Sequence, residues 1–174
     1  VIPIRLQPIE VHIHADRRLA FQVITAFGAS AQTGETSTKV LSREDDRLLV
    51  EFHIPVRGLF GRQKVYRTVE WVTPYEPERV EFDTVKGSTA MKRDRFILEE
   101  QGGCTCIRYE SECGIWGWVP GWLLGVLYVR PMLKRLMQEH LEEMKETIEA
   151  RARRSKMFPQ QPCTLGAVEG KDAA

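Results

Sequence analysis

The sequence predicts an α+β fold: a meandering antiparallel sheet of about seven strands and a long C-terminal helix, with a short helix after the first strand. Three features point there. An alternating opening segment runs into a capped amphipathic stretch; a series of short alternating segments follows, joined by tight turns; and a closing segment carries apolar residues at helical spacing.

The opening segment "IEVHIH", Ile9 to His14, sets Ile9, Val11 and Ile13 on one face and Glu10, His12 and His14 on the other. Asp16 then stands at a helix N-cap, and Ala20, Val23, Ile24 and Phe27 recur at helical spacing before Gly28. After a small, polar connection come "TKVLSRE", a turn at Asp45-Asp46, "LLVEFHIPV", "KVYRTVEWV", "RVEFDTV", "DRFILEE", a turn at Gln101-Gly102-Gly103, and "TCIRYESEC". Short strands with tight turns make a meandering antiparallel sheet the economical arrangement. In "PMLKRLMQEHLEEMKETIEARARR" the residues Leu133, Leu136, Met137, His140, Leu141, Met144 and Ile148 form one apolar stripe. Arg151, Arg153, Arg154 and Lys156 gather where the helix dipole favours cations.

A chain of 174 residues, 43% hydrophobic and 28% charged, is sized for one core. The expected domain covers residues 1–154, and the aperiodic residues 155–174 are expected to be a disordered tail. Twenty-five Lys and Arg against 24 Asp and Glu give a net charge of +1, so no bulk field favours nucleic acid, and no nucleic-acid partner is expected. The first residues lack the basic-then-apolar layout of a secretory signal, and four cysteines do not make a disulfide framework. The expectation is a cytoplasmic protein with reduced thiols.

The stretch "GIWGWVPGWLLGVLYVRP", Gly114 to Pro131, has no charged side chain before Arg130. It is shorter than the roughly 20 apolar residues a membrane span needs, and Pro120 and three glycines interrupt it. A helix from Pro120 to about Arg154, kinked at Pro131, accounts for it better. The first half of that helix is apolar nearly all round, so it needs a second apolar neighbour besides the sheet.

The order of these elements resembles the helix-grip arrangement of the START-like superfamily, which includes polyketide cyclases and dehydrases and lipid-transfer domains, and that resemblance implies a curved antiparallel sheet wrapped around the long C-terminal helix. The resemblance rests on "VHIHADRRLAFQVITAF", on "VEFDTVKG" followed by "DRFILEEQGGCTCIRYESE", and on "PMLKRLMQEHLEEMKETIEAR". It spans Ile9 to about Arg154 and implies a cavity between sheet and helix that holds a small hydrophobic or amphipathic molecule.

Strand alternation then nominates the residues facing such a cavity. Leu48, Val50, Phe52 and Ile54 share a face, as do Val80, Phe82 and Thr84. On the strand "VYRTVEWV" the set Val65, Val69 and Trp71 carries Arg67 inward, and the opposite set, Tyr66, Thr68, Glu70 and Val72, is nearly as plausible. Phe96 and Leu98 bring Asp94 inward; Ile107 and Tyr109 bring Ser111 and Cys113. The candidate ligand-binding residues are Phe52, Trp71, Phe82, Phe96, Tyr109, Ser111, Trp122, Leu123, Leu127 and Met132, and the candidate catalytic residues are Arg67, Asp94 and Tyr109. If Arg67 and Asp94 both point inward they should pair or orient a ligand head group.

Neither His12 with His14 nor Cys104, Cys106 and Cys113 has the spacing of a zinc knuckle, and no nucleophile elbow or phosphate loop is present, so no metal and no cofactor is expected. Three functions fit: a binder of a small hydrophobic ligand, a cyclase or dehydrase working through polar cavity residues, and an interaction module whose tryptophan-rich "GIWGWVPGW" makes transient membrane contact.

Overall fold

The computed structural model describes residues 2–28, 37–57, 63–87, 91–115, 123 and 125–158. Eight strands form one antiparallel sheet: β1 (Ile2–Arg5), β2 (Ile9–Ile13), β3 (Ser37–Glu44), β4 (Arg47–Arg57), β5 (Gln63–Tyr75), β6 (Arg79–Lys86), β7 (Met91–Gln101) and β8 (Cys104–Ile115). They lie in the order β1-β8-β7-β6-β5-β4-β3, with β2 also paired to β8. Helix α1 (Arg17–Ile24) follows β2, and helix α2 (Arg130–Arg154) closes the fold after a π-helical turn at Gly125–Val129. This is the helix-grip α+β architecture that the sequence predicts.

Strand β1 is the addition to the expected count. Pro3 argues against a strand in sequence, but β1 lies at the sheet edge, where a missing N–H breaks no ladder on its free side. Arg5 faces Glu112 while Ile9 faces Tyr109, so four steps along the first strand pair match three along β8. That one-residue bulge keeps Ile4 and Leu6 buried together with Ile9, Val11 and Ile13. The other turns follow local chemistry. Asp45 takes a φ of 45° between β3 and β4, and Gly102 and Gly103, at 57° and 83°, supply the two positive φ angles of the β7–β8 hairpin.

Helix α1 begins at the expected cap: the Asp16 side chain accepts a hydrogen bond from Arg18 N at 2.8 Å. It ends at Thr25, so Phe27 lies outside the helix and instead sets its ring edge-on to Phe52 and Phe82. The expected kink at Pro131 takes a different form. Pro131 sits in the first turn of α2, and the turn before it is π-helical. A proline there cannot donate to the carbonyl four residues back, and a wider turn relieves that mismatch.

The core fills the space between the concave sheet face, α1 and the second half of α2. Ile13, Val50, Val72, Val80, Ile107 and Ile148 have no exposed surface. The outer face is polar: Arg79 and Arg95 hold Glu81 at 3.3 and 3.2 Å, and Arg93 holds Asp83 at 2.7 Å. Cys104 is disulfide-bonded, which corrects the expectation of reduced thiols, while Cys106 and Cys113 are free. Thiols on the polar and apolar sides of one strand carry no sequence signal of partnership. Most of the expected tail, from residue 159 on, lies outside the described residues.

Truncating Ile148 to Ala should cost about 2–5 kcal/mol in urea unfolding. The same measurement on Leu127→Ala, a residue 68% exposed, should show a change of under about 0.5 kcal/mol.

Candidate functional site

The concave face has two characters. Its middle is aromatic. Neighbouring strands bring Phe52, Phe82, Phe96 and Tyr109 into a row, with centroid separations of 6.1 Å for Phe52–Phe82, 5.5 Å for Phe82–Phe96 and 5.1 Å for Phe96–Tyr109. These are edge-on and tilted geometries, the favourable ones for ring quadrupoles. Helix α2 covers this region with Leu133 and Met137, both partly buried against the core.

The second character is a polar cluster on the same face, one to two residues further along each strand. Register puts Asp94 opposite Ser111 and Lys92 opposite Cys113, while Glu70 pairs with Thr84 across the next interface but one. Asp94 is 6% exposed, Ser111 and Glu70 5%, and Tyr109 1%. Lys92 Nζ lies 2.6 Å from Asp94 Oδ2, a contact between residues two apart on one strand and therefore on one side. The β5–β6 register slips between Val69 and Glu70, and at that bulge Thr84 Oγ1 donates to Glu70 Oε1 at 3.4 Å. The turn is tight: a Cβ on Gly87 would come within 3.3 Å of the methyl groups of Thr68 and Thr84.

Burial shapes the protonation of this cluster. It works against the Lys92 charge, but Asp94 and Glu70 outweigh it and hold the ammonium above its ordinary range. Burial lifts the Glu70 carboxyl, with the Asp94 charge adding to the lift and Lys92 opposing it. Burial, and then the Asp94 charge, push the Tyr109 phenol well above its ordinary range, so it stays a hydroxyl donor. The Cys113 thiol is raised by the same two causes. On α2, His140 is lowered by burial, which leaves a neutral imidazole facing the Lys92 side of the cluster.

Three buried atoms here, Asp94 Oδ1, Tyr109 Oη and Ser111 Oγ, make no well-formed hydrogen bond and have one another as neighbours: the Ser111 and Asp94 side chains both act on the Tyr109 phenol at hydrogen-bonding range. Each sits on β7 or β8, and all three face the same space. A buried polar group left unpaired costs about 1–3 kcal/mol, so this concentration is a feature to be explained.

The structure brings together Phe52, Phe82, Phe96, Asp94, Tyr109 and Ser111 from the expected set. It does not bring Arg67 or Trp71 to them. On β5 the inward set is Thr68, Glu70 and Val72, so Arg67 is exposed and Trp71 lies outside under the Arg47 guanidinium, 4.2 Å from the ring. The two faces of that strand are about equally apolar in sequence, and the buried neighbour Val50, paired to Glu70, decides between them. Asp94 therefore pairs with Lys92 and not with Arg67. Lys92 was readable two residues ahead of Asp94, but only if the strand is extended back to Met91; Glu70 was readable on the alternative face.

The start of the closing helix also departs from expectation. Leu123 is 50% exposed, Leu127 68% and Met132 43%, so the apolar surface of these turns is not enclosed by the sheet. Lys134 Nζ reaches Gln7 Oε1 and Glu149 accepts from His14 N, which orients α2 along the segment from β1 to β2. Trp122 lies outside the described residues. No described helix is long and apolar enough to cross a membrane. His12 and His14 meet edge to face at 5.7 Å, and among the described residues no three potential ligands group as a metal site requires.

A family model described as polyketide cyclase/dehydrase and lipid transport matches residues 9–149. Several solved structures are similar. TTHA0849 from Thermus thermophilus is 18% identical, with a TM-score of 0.62 over 88% of this chain and 99% of that one. The Zhui aromatase/cyclase from Streptomyces sp. R1128 is 11% identical, with a TM-score of 0.66 over 88% and 95%. A START superfamily protein from Mycobacterium smegmatis is 19% identical, with a TM-score of 0.59 over 87% and 99%. At these identities the likeness is one of fold. No curated protein matches the chain.

Because the folded protein binds the Glu70 proton more tightly than the unfolded chain does, ionising Glu70 weakens the fold. Glu70→Gln should therefore raise stability to urea at high pH, and the gain should fade as pH falls through the raised folded-state range and be gone once it reaches the ordinary carboxylate range near about 4. A gain independent of pH would mean that the carboxyl is not the source.

Proposed function

This chain belongs to the polyketide cyclase/dehydrase and lipid transport family, and from that premise we propose that it binds a small amphipathic molecule between the concave sheet and α2. The apolar, ring-bearing body of the ligand lies against Phe52, Phe82 and Phe96, and its oxygen atoms meet Tyr109, Ser111 and Asp94. The observation that carries this reading is the cluster of three buried polar groups, Asp94, Tyr109 and Ser111, gathered without well-formed hydrogen bonds beside that aromatic row. Two of them can donate and one can only accept, which suits a ligand with both carbonyl and hydroxyl oxygens. A concave, mostly apolar surface with a few convergent polar groups is the usual form of a small-molecule site.

A second reading shares the site. Glu70 is a buried carboxyl raised above its ordinary range, three strands along the sheet from a phenol held as a neutral donor. When ionised, such a carboxylate can take a proton from a carbon beside a ketone, and the phenol can steady the enolate oxygen that results. Under this reading Glu70 moves the proton and Tyr109 holds the oxygen; Lys92 holds Asp94 in place.

Prodan, a neutral naphthyl ketone whose emission shifts to the blue in apolar surroundings, is a suitable probe. It should bind the wild-type chain, and Tyr109→Phe and Ser111→Ala should each weaken binding by about three- to tenfold, the worth of one hydrogen bond. Neither change should lower the stability of the empty protein by more than about 1 kcal/mol, since each deletes a polar group whose hydrogen bonds are poorly formed. Absence of any blue shift, or unchanged affinity in both variants, would overturn the site. For the catalytic reading, Glu70→Gln should keep prodan affinity and lose turnover of a poly-ketone substrate by at least about a hundredfold.

A further inference from the structure

We propose that the outer face of β2 and β8 is a redox-gated zinc site, in which His12, His14, Cys104 and Cys106 coordinate one zinc ion once the disulfide at Cys104 is reduced. The antiparallel register sets His12 directly opposite Cys106, and two steps along Cys104 Sγ lies 3.8 Å from His14 Nδ1. On each strand the two ligands are two residues apart, so all four side chains project from one side of the sheet. Val11, Ile13, Thr105 and Ile107, which alternate with them, are buried on the groove side. The site therefore stands independently of what the groove holds.

The spacing suits a tetrahedral ion. Zinc bonds of about 2.3 Å to sulfur and about 2.1 Å to nitrogen put neighbouring sulfur and nitrogen ligands about 3.6 Å apart, close to the Cys104–His14 contact. The same geometry places the centroids of two zinc-bound imidazoles about 5.3 Å apart. His12 and His14 have theirs at 5.7 Å. The surroundings hold these groups still and favour a cation. Thr105 Oγ1 donates to Ala15 O at 2.8 Å and His14 N donates to Glu149 Oε1 at 3.0 Å, which pins the end of β2 to β8 and to α2. Burial, and then the charge of His14, hold the His12 imidazole below its ordinary range, and the neutral ring is the form that binds metal. Burial and the carboxylates of Glu10 and Glu99 raise the Cys106 thiol; those two carboxylates favour a dication there, and a coordinating thiol gives up its proton.

The disulfide is the gate. With Cys104 so bonded, its sulfur has no thiolate to offer, and the described residues make no group of three metal ligands. The sequence has four cysteines, and Cys106 and Cys113 are free, so the partner left within the chain is Cys163, which lies outside the described residues. Two equivalents of a small thiol reduce the bond, returning both cysteines as thiols and leaving as a disulfide themselves. Zinc then displaces one proton from each of Cys104 and Cys106, takes the two neutral imidazoles, and closes a tetrahedron without net charge.

Cobalt titration of the full chain tests the proposal, because tetrahedral cobalt bound by thiolate shows intense visible bands and a sulfur-to-metal charge-transfer band. The reduced chain should take one cobalt ion with both features and give it up to zinc; the oxidised chain should show neither. Cys163→Ser should show both without reductant. Cys106→Ser should lose about half of the charge-transfer band, one of two sulfurs, while its metal-free melting matches the wild type. His14→Gln should lower the affinity more than about a hundredfold, beyond the loss that a supporting partner accounts for. Cys113→Ser, on the groove side, should bind as the wild type does. The proposal is overturned by a reduced chain without the tetrahedral spectrum, by an oxidised chain that shows the same one, or by a full charge-transfer band in Cys106→Ser. Loss of binding in Cys113→Ser would overturn it too, by placing the sulfur ligand on the other face.

Discussion

Two groups of opposite charge two residues apart on one strand, Lys92 and Asp94, lie in a largely buried part of the sheet, and the rest of the polar cluster is arranged around their contact. Taking two ions out of water costs several kcal/mol each, and their mutual attraction offsets this only at close range. The 2.6 Å contact supplies that range. Burial then raises both the Glu70 carboxyl and the Tyr109 phenol; on Glu70 the Lys92 charge opposes the lift more than Asp94 adds to it, whereas on Tyr109 the Asp94 charge reinforces it. The ion pair thus moderates the carboxyl while helping to keep the phenol a proton donor.

The arrangement is expensive as a core. Phe or Val at positions 109 and 111 would fill the same space without poorly bonded hydroxyls, and isosteric apolar replacements of such groups are often neutral or stabilising. A few strand positions away the same sheet does what stability alone asks: Leu98, Ile107 and Ile13 are buried with apolar side chains. The contrast within one sheet separates its two jobs. The half nearest α1 holds the fold together, and the half beyond Tyr109 keeps polar atoms in reserve, as binding sites do at the expense of stability.

Much of this was legible because the chain is locally consistent. Alternation gave the inward set on β4, β6, β7 and β8, and the Asp16 cap and the double glycine of the last hairpin announced their turns. What was not legible depends on neighbours. On β5 both faces carry aromatic, β-branched and charged residues, and only pairing to Val50 and Phe82 shows which side is covered. A one-residue choice there exchanged Glu70 for Arg67 as the polar residue inside. The exposure of Leu123, Leu127 and Met132 was hidden for a different reason: composition says that a helix turn is apolar all round, but not what covers it.

The concave face is graded along its length. The polar cluster belongs to the close of β6 and β8 and the start of β7, and the phenyl row and the closed core lie further in, towards α1. Lys92 engages Asp94 Oδ2, which leaves Oδ1 beside the Tyr109 and Ser111 hydroxyls. On the proposed binding role, a ligand with its rings against Phe82 and Phe96 would set its oxygens at those groups, whereas the reverse orientation would leave its oxygens among phenyl rings. The penalty for that reversal, several hydrogen bonds' worth of desolvation, would make such binding directional.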